Sequence, residues 1–221
     1  MQKLLILALL FVAFGPAAAF AQAGHEYAPI EEKTISYKDW TFKRLADSKP
    51  INLRTFAQGK KLVMVVYFAP WCGNWKNEMP VAAKLYEKYK ADGLDVIGVS
   101  EYGSLDDVKA CIGEKGAPYT VVTESESRDA RDKTTHYGYR QTTGDTRKWG
   151  SPWNIFIEPS KITTSGDVLM EKAYVVNGEL IEADVDKFIR ERLGLEAANA
   201  TSMNPTTTPC EPIKSGELKK P

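Results

Sequence analysis

Apolar runs separated by amphipathic stretches predict that strands and helices alternate along most of the chain. The strongest strand signal is Leu62–Phe68, which is continuously apolar and rich in β-branched residues. This pattern is typical of a central strand that is buried on both faces. Shorter or weaker strand signals lie at 40–42, 50–53, 94–99, 119–122, 153–157 and 168–176.

Four helices are predicted. Apolar positions at spacings of three and four predict helices at 74–91 and 181–193. A start signal predicts a third at 104–115, and 129–137 is a short polar helix candidate. Ser104 followed by acidic residues is a typical helix start, and residues 139–148 are predicted to form a loop. Parallel crossovers early in the chain and an antiparallel pair late indicate an α/β fold, a three-layer α/β/α sandwich with a mixed central sheet.

Residues outside this pattern divide the chain into four segments. Residues 1–21 combine Lys3, an apolar stretch too short to span a bilayer and an Ala-x-Ala cleavage site, which predicts a secretory signal peptide. Residues 22–38 are polar and predicted to be an extended lead-in, and 39–195 form the folded domain. Residues 196–221 are rich in Ala, Asn, Thr, Pro and Lys, so we expect a disordered tail. The mature protein is therefore expected to be periplasmic or secreted.

Charge and cysteine content restrict the possible functions. The 29 basic residues balance the 29 acidic residues, which argues against nucleic acid as a partner and against a membrane contact beyond the signal peptide. The three cysteines, Cys72, Cys111 and Cys210, are an odd number, so at least one is unpaired or pairs with another molecule. No metal-ligand spacing occurs, and we expect no cofactor.

The candidate chemistry lies where the central strand meets the first long helix, at Trp71-Cys72-Gly73. A cysteine at a helix N-terminus faces unpaired backbone N–H groups and the positive end of the helix dipole, which favour a reactive thiolate. Gly73 leaves the backbone beside the sulfur open to a partner. Cys72 is therefore the candidate nucleophile.

The apolar strand, Trp71-Cys72-Gly73 and the following Glu78-Met79-Pro80 together resemble the TlpA/ResA branch of exported bacterial thioredoxins. The resemblance covers residues 40–194 and implies a thioredoxin-like fold and thiol–disulfide exchange. It also implies that Glu78 lies near the active thiol and helps proton transfer. The alternative for Glu78 is an ordinary solvated helix glutamate.

A second part of the resemblance is Ser151-Pro152, which precedes a predicted strand. It matches the position at which thioredoxin folds hold a cis proline facing the active cysteine. The resemblance implies that Ser151 and Pro152 form a platform for a substrate chain. Trp71, Gly73 and Trp75 are further candidate substrate-binding residues beside it. Two further tryptophans, Trp149 and Trp153, flank this platform, and the four tryptophans form either a peptide-binding surface or caps of the core.

The chain departs from the family at Trp75, which stands where a dithiol enzyme has its second cysteine. That cysteine normally resolves the mixed disulfide formed with the substrate. Cys111 is expected to pack in the core on a helix face with Val108 and Ile112. Cys210, in the tail, is a possible resolving cysteine, and its alternatives are a free tail thiol or a disulfide with Cys111.

These observations favour an exported thioredoxin-like protein that uses Cys72 as a monothiol in thiol–disulfide exchange. Its partners would be thiols or disulfides of exported proteins and an unidentified thiol reductant. A second hypothesis is a redox-inactive binding or chaperone-like module. A third is a one-cysteine peroxidase, but that class carries Thr or Ser three residues before its cysteine, and this chain has Ala69 there.

Overall fold

The computed structural model of the protein describes residues 24–195. The predicted signal peptide, the predicted disordered tail and Cys210 therefore lie outside the described residues. Within the described part, no helix combines the length and apolar character that crossing a bilayer requires.

The described chain forms ten strands and five α-helices. The strands are β1 (Tyr27–Ala28), β2 (Glu31–Thr34), β3 (Thr41–Arg44), β4 (Pro50–Asn52), β5 (Leu62–Phe68), β6 (Leu94–Ser100), β7 (Thr120–Thr123), β8 (Trp153–Ile157), β9 (Lys172–Val176) and β10 (Glu179–Leu180). The helices are α1 (Leu53–Phe56), α2 (Gly73–Tyr89), α3 (Leu105–Ile112), α4 (Thr135–Thr143) and α5 (Glu182–Leu193). Short 3₁₀ helices occupy Lys90–Asp92, Arg128–Lys133 and Pro159–Lys161.

Eight of these strands form one mixed sheet in the order β2-β9-β8-β5-β6-β7-β3-β4. The central strand β5 runs parallel to β6 and antiparallel to β8. The predicted fold class, an α/β sandwich around a mixed central sheet, is confirmed. Because β5 and β6 are parallel neighbours, their carboxyl ends lie at the same edge of the sheet, and Cys72 follows that end of β5.

Side chains of β5 divide between two apolar cores. Leu62, Met64, Val66 and Phe68 pack with α2, α3 and α5 on one face of the sheet. The alternate residues Val63, Val65 and Tyr67 pack with α1 and α4 on the other. All seven are buried, which explains the continuous apolar run in the sequence.

Three predicted boundaries differ from the structure. The lead-in joins the fold, because β2 pairs with β9 at the sheet edge and β1 pairs with β10. The predicted loop at 139–148 is helical as far as Thr143, where Tyr139 and Thr143 are buried in a largely polar helix. The last long strand begins only at Lys172, since residues 163–169 form a turn that bonds back to Tyr37.

Candidate functional site

Cys72 is the N-cap residue of α2, at the end of the turn that follows β5. The turn is held by the Cys72 N–H, which donates to the Ala69 carbonyl at 2.9 Å. The thiol is half-buried, and Gly73 beside it is exposed, with nothing within 4 Å of where a Cβ would lie. A partner can therefore approach the sulfur from the Gly73 side.

The structure brings Cys72 to the Ser151–Pro152 pair. The peptide bond between Ser151 and Pro152 is cis, and the Cys72 Sγ donates to the Ser151 carbonyl oxygen at 3.1 Å. The Ser151 hydroxyl accepts from the Ala69 N–H at 2.8 Å. Both residues are buried, and the Ser151 carbonyl already accepts the bond from Cys72. Their role as a substrate platform stays a prediction.

The loop that carries Ser151 is fixed by a buried charge cluster. Asp145 accepts from the Arg140 Nε at 3.1 Å and from the Arg147 Nη2 at 2.8 Å. Burial disfavours the carboxylate, but the arginines outweigh it and hold the pKa of Asp145 below its ordinary value. The Arg147 Nη2 also donates to the Pro152 carbonyl at 2.8 Å. Gly150 has a φ of +55°, and a Cβ there would overlap the Arg140 guanidinium.

Trp75 lies inside the protein, so its predicted place in a substrate-binding surface is wrong. Its side chain is 1% exposed and stacks on Phe68 with ring centroids 4.3 Å apart. Trp153 is likewise fully buried, in the opposite core. Residue 75 follows the exposed Gly73 by about half a helical turn, which directs its side chain toward the sheet.

The other two tryptophans form the rim of the site. Trp71 and Trp149 are half-buried and meet edge to face, with ring centroids 5.2 Å apart. The Trp71 Nε1 donates to the Tyr102 carbonyl at 3.0 Å, which fixes the indole against the loop that follows β6. Gly103 in that loop approaches Pro70 so closely that a Cβ would lie 2.3 Å from the proline Cγ.

Glu78 is buried, not solvated, with 2% of its surface exposed. Its Oε2 accepts from the Leu180 N–H at 2.8 Å and from the Asn154 Nδ2 at 3.2 Å. Burial is the main cause that raises the pKa of Glu78 to about 8, so the carboxyl is largely protonated at neutral pH. Among the described residues, no hydrogen bond joins Glu78 to Cys72. Asn154 links Glu78 to the strand that begins just after Pro152.

Cys111 is half-buried on α3 and forms no disulfide with Cys72. Its side chain packs at the margin of the core that contains Trp75, so its expected core position is only partly realised. Burial raises the pKa of the Cys111 thiol, which makes it a poor nucleophile. The possible resolving role of Cys210 lies outside the described residues.

Sequence reasoning did not find the residues that support and surround the site. Asn154 and Glu179 are two such residues, and the cations Arg128 and Arg131 above the rim tryptophans are two more. Only the clustering of basic residues near Trp149 could have suggested the cations. Their contacts depend on loops that are distant in sequence.

The sequence matches one protein family over residues 36–162, more than half of the 221 residues. The chain belongs to the AhpC/TSA family. Among curated proteins, no sequence matches significantly. The matched region of the AhpC/TSA family ends just after β8, so it contains Cys72, Glu78 and the Ser151–Pro152 pair.

Solved structures similar to this AhpC/TSA family chain include three bacterial proteins. A secreted thiol-disulfide isomerase from Corynebacterium glutamicum is 17% identical with a TM-score of 0.52, and the match covers 74% of this chain and 92% of that one. The thioredoxin domain of a thiol-disulfide oxidoreductase from Bacteroides vulgatus is 19% identical with a TM-score of 0.51, covering 73% of this chain and 97% of that one. A thioredoxin-family thiol:disulfide interchange protein from Chlorobium tepidum is 22% identical with a TM-score of 0.50, covering 73% of this chain and 98% of that one. At these identities the likeness establishes the thioredoxin-like fold.

Proposed function

We propose that this protein is an exported monothiol protein of thiol–disulfide exchange, with Cys72 as its single nucleophile. The observation that carries the proposal is the position of Cys72, which caps the N-terminus of α2 and lies 3.1 Å from the carbonyl before the cis proline. The place of the second thiol is filled by the buried Trp75. Export rests on the predicted signal peptide at residues 1–21.

The proposed reaction is one exchange step. The Cys72 thiolate attacks one sulfur of a partner disulfide, a mixed disulfide forms, and the other sulfur leaves as a thiolate. Since Cys111 is half-buried and its pKa is raised, an external thiol resolves the mixed disulfide by attacking it. Attack on the partner's sulfur regenerates the Cys72 thiolate, so no net oxidant is required.

The bond from Cys72 to Ser151 couples the nucleophile to the substrate platform. A thiolate has no proton to donate, so deprotonation of Cys72 breaks its hydrogen bond to the Ser151 carbonyl. The same event frees that carbonyl to accept from the backbone N–H of a substrate chain. Ser151 and Pro152 would thus receive a substrate only when the sulfur is ready to attack.

Glu78 would act as a proton store behind the site. With a pKa of about 8, Glu78 is protonated at neutral pH and can give or take a proton when the pH is near that value. Its only described partners are the Leu180 N–H and the Asn154 side chain. Exchange with Cys72 would therefore pass through water.

The peroxidase alternative has less support. The residue three positions before Cys72 is Ala69, whose methyl group cannot donate a hydrogen bond to a peroxide. Hydrogen peroxide consumption by the reduced protein would test this alternative directly.

The reactivity of Cys72 separates the proposal from a redox-inactive binding module. Iodoacetamide should alkylate Cys72 faster than a model thiol below neutral pH, and a Cys72→Ser variant should lose this fast phase. In the host, mixed disulfides with exported proteins should appear on non-reducing gels for the wild type only. A pH profile like that of the model thiol, without trapped partners, would remove the redox proposal.

A further inference from the structure

The rim beside Cys72 carries cations as well as aromatic rings. We call Trp71, Trp149, Arg128, Arg131 and Lys148 the rim cluster. The Arg128 guanidinium lies 4.1 Å from the Trp71 ring centroid and 5.9 Å from that of Trp149. Arg131 and Lys148 each lie 5.5 Å from the Trp149 centroid. Three cationic groups are thus held over two indole rings.

The cations of the rim cluster have no carboxylate partner among residues 24–195. The neighbouring Arg147, in contrast, pairs with Asp145 and Glu26. Asp129 and Asp132 belong to the same 3₁₀ turn as Arg128, yet both are exposed and lie more than 4 Å from its guanidinium. The positive charge of the rim cluster is therefore not neutralised by contact.

The first turn of α2 adds to this positive field. It contains no acidic residue, and the exposed Lys76 there forms no ion pair with any residue that the structure describes. The positive end of the helix dipole points toward Cys72. Trp71 directly precedes Cys72 in the chain, so the rim cluster borders the thiol that a substrate must reach.

We propose that the rim cluster selects polypeptide partners whose reactive cysteine is flanked by acidic side chains. The three cations are spread over two adjoining rings, so they match several carboxylates along a chain better than a single anion. The indole faces would cover the apolar parts of the same segment. This inference rests on the proposed exchange chemistry of Cys72.

Three activated peptides of one length test the selection. In each, one cysteine is flanked by two Glu, two Gln or two Lys residues and is linked to 2-thiopyridine. The Cys72 thiolate attacks the peptide sulfur, a mixed disulfide forms, and thiopyridone leaves and is followed by its absorbance. The rate of each peptide with the protein is divided by the rate of the same peptide with 2-mercaptoethanol, which corrects for the intrinsic reactivity of the peptide. The Cys72→Ser variant gives the background rate.

At low ionic strength the Glu peptide should react about fivefold faster than the Gln peptide, and the Lys peptide should be slowest. High salt should collapse the differences. An Arg128→Gln/Lys148→Gln variant should lose most of the preference, because it removes two of the three cations of the rim cluster. Both substituted side chains are exposed, so we expect the fold to be kept. The matched control Lys61→Gln/Lys115→Gln removes two exposed lysines elsewhere that have no ion pair within the described part of the chain, and it should keep the preference.

The possible failures are distinguishable. If no peptide reacts with Cys72 above background, the exchange function itself fails. If all three peptides react at equal normalised rates, or if the rim and control variants behave alike, the exchange function stands and the acidic-partner inference is overturned. An Arg128→Glu/Lys148→Glu variant that does not shift the preference toward the Lys peptide also contradicts it.

Discussion

At the scale of single residues, Glu78 has the most unusual environment in the site. It is a carboxyl on α2 whose Oε1 has no described hydrogen-bond partner and whose Oε2 accepts two bonds. Burial outweighs those two bonds and raises its pKa from 4.5 to about 8. In the unfolded chain the same group ionises near its ordinary value.

This difference makes stability depend on pH. Between pH 4.5 and about 8 the folded protein keeps the Glu78 proton and the unfolded chain has lost it. Unfolding therefore releases a proton, and the contribution of Glu78 to the free energy of unfolding falls by up to about 1.4 kcal/mol per pH unit as pH rises. Glu78→Gln keeps both accepted bonds, so urea unfolding should show it more stable than wild type at pH 9 and similar at pH 5.

A matched control for this measurement is Glu114→Gln, since Glu114 is exposed and forms no ion pair among residues 24–195. Its pH dependence should follow that of the wild type. Parallel curves for wild type and Glu78→Gln would show that Glu78 does not hold its proton in the folded state.

Trp75 is the second decisive residue, because it packs in the core and stands where a dithiol enzyme would have its second cysteine. Trp75→Cys should gain disulfide reductase activity, measured as insulin reduction, because it supplies a resolving thiol three residues after Cys72. It should also lose about 3 kcal/mol or more of stability, since a fully buried indole is removed. Trp75→Ser leaves a similar cavity without the thiol and should gain no activity. Equal activity in both variants would contradict this account of Trp75.

At the scale of elements, the N-terminal segment is part of the domain through the short pair β1 and β10. The Glu179 carboxylate accepts from the Glu26 N–H and lies 2.8 Å from the His25 Nδ1. Gly178 permits this contact, since a Cβ there would lie 2.3 Å from the Glu26 carbonyl oxygen. The segment that was expected to be a simple lead-in is therefore held against the same β10 that binds Glu78.

Gly178→Ala should displace β1 and lower the free energy of unfolding by about 1–3 kcal/mol, because backbone atoms must move to accommodate the methyl group. Hydrogen exchange at the amides of β1 should accelerate. Gly138→Ala is the control: it lies in α4 with nothing within 4 Å of the new Cβ, and it should stabilise the helix by up to about 1 kcal/mol. Unchanged exchange in β1 would show that the segment tolerates the shift.

At the scale of the whole molecule, the site is assembled from three distant loops. Cys72 and Ser151 are 79 positions apart in sequence, and Trp71 and Tyr102 are 31 apart. The mixed sheet brings these loops together, because β5 and β6 end at the edge where β8 begins. Membership of the AhpC/TSA family and the thioredoxin-like fold agree with this arrangement. The chemistry of the candidate site depends on which side chains each loop places there.

The sequence by itself determined the central strand, the cysteine at the start of α2 and the fold class. These three features follow from the local periodicity of apolar residues and from a motif of a few adjacent residues. Neither signal depends on contacts with distant parts of the chain. The sequence also indicated the pairing of Cys72 with Ser151-Pro152, through family resemblance. Only the start of helix α4 lies within the predicted helix at 129–137. The rest of α4 lies in the predicted loop, because its buried positions are polar or aromatic: His136, Tyr139, Arg140 and Thr143.

Only the tertiary structure decided which tryptophans face a partner and which face the core. Trp75 and Trp153 are inside, whereas Trp71 and Trp149 form the rim under three cations. It also decided that Glu78 is buried and protonated. Both outcomes have the same physical reason. The exposure and the protonation of a side chain depend on which residues from distant parts of the sequence pack against it, and the local sequence does not specify those residues.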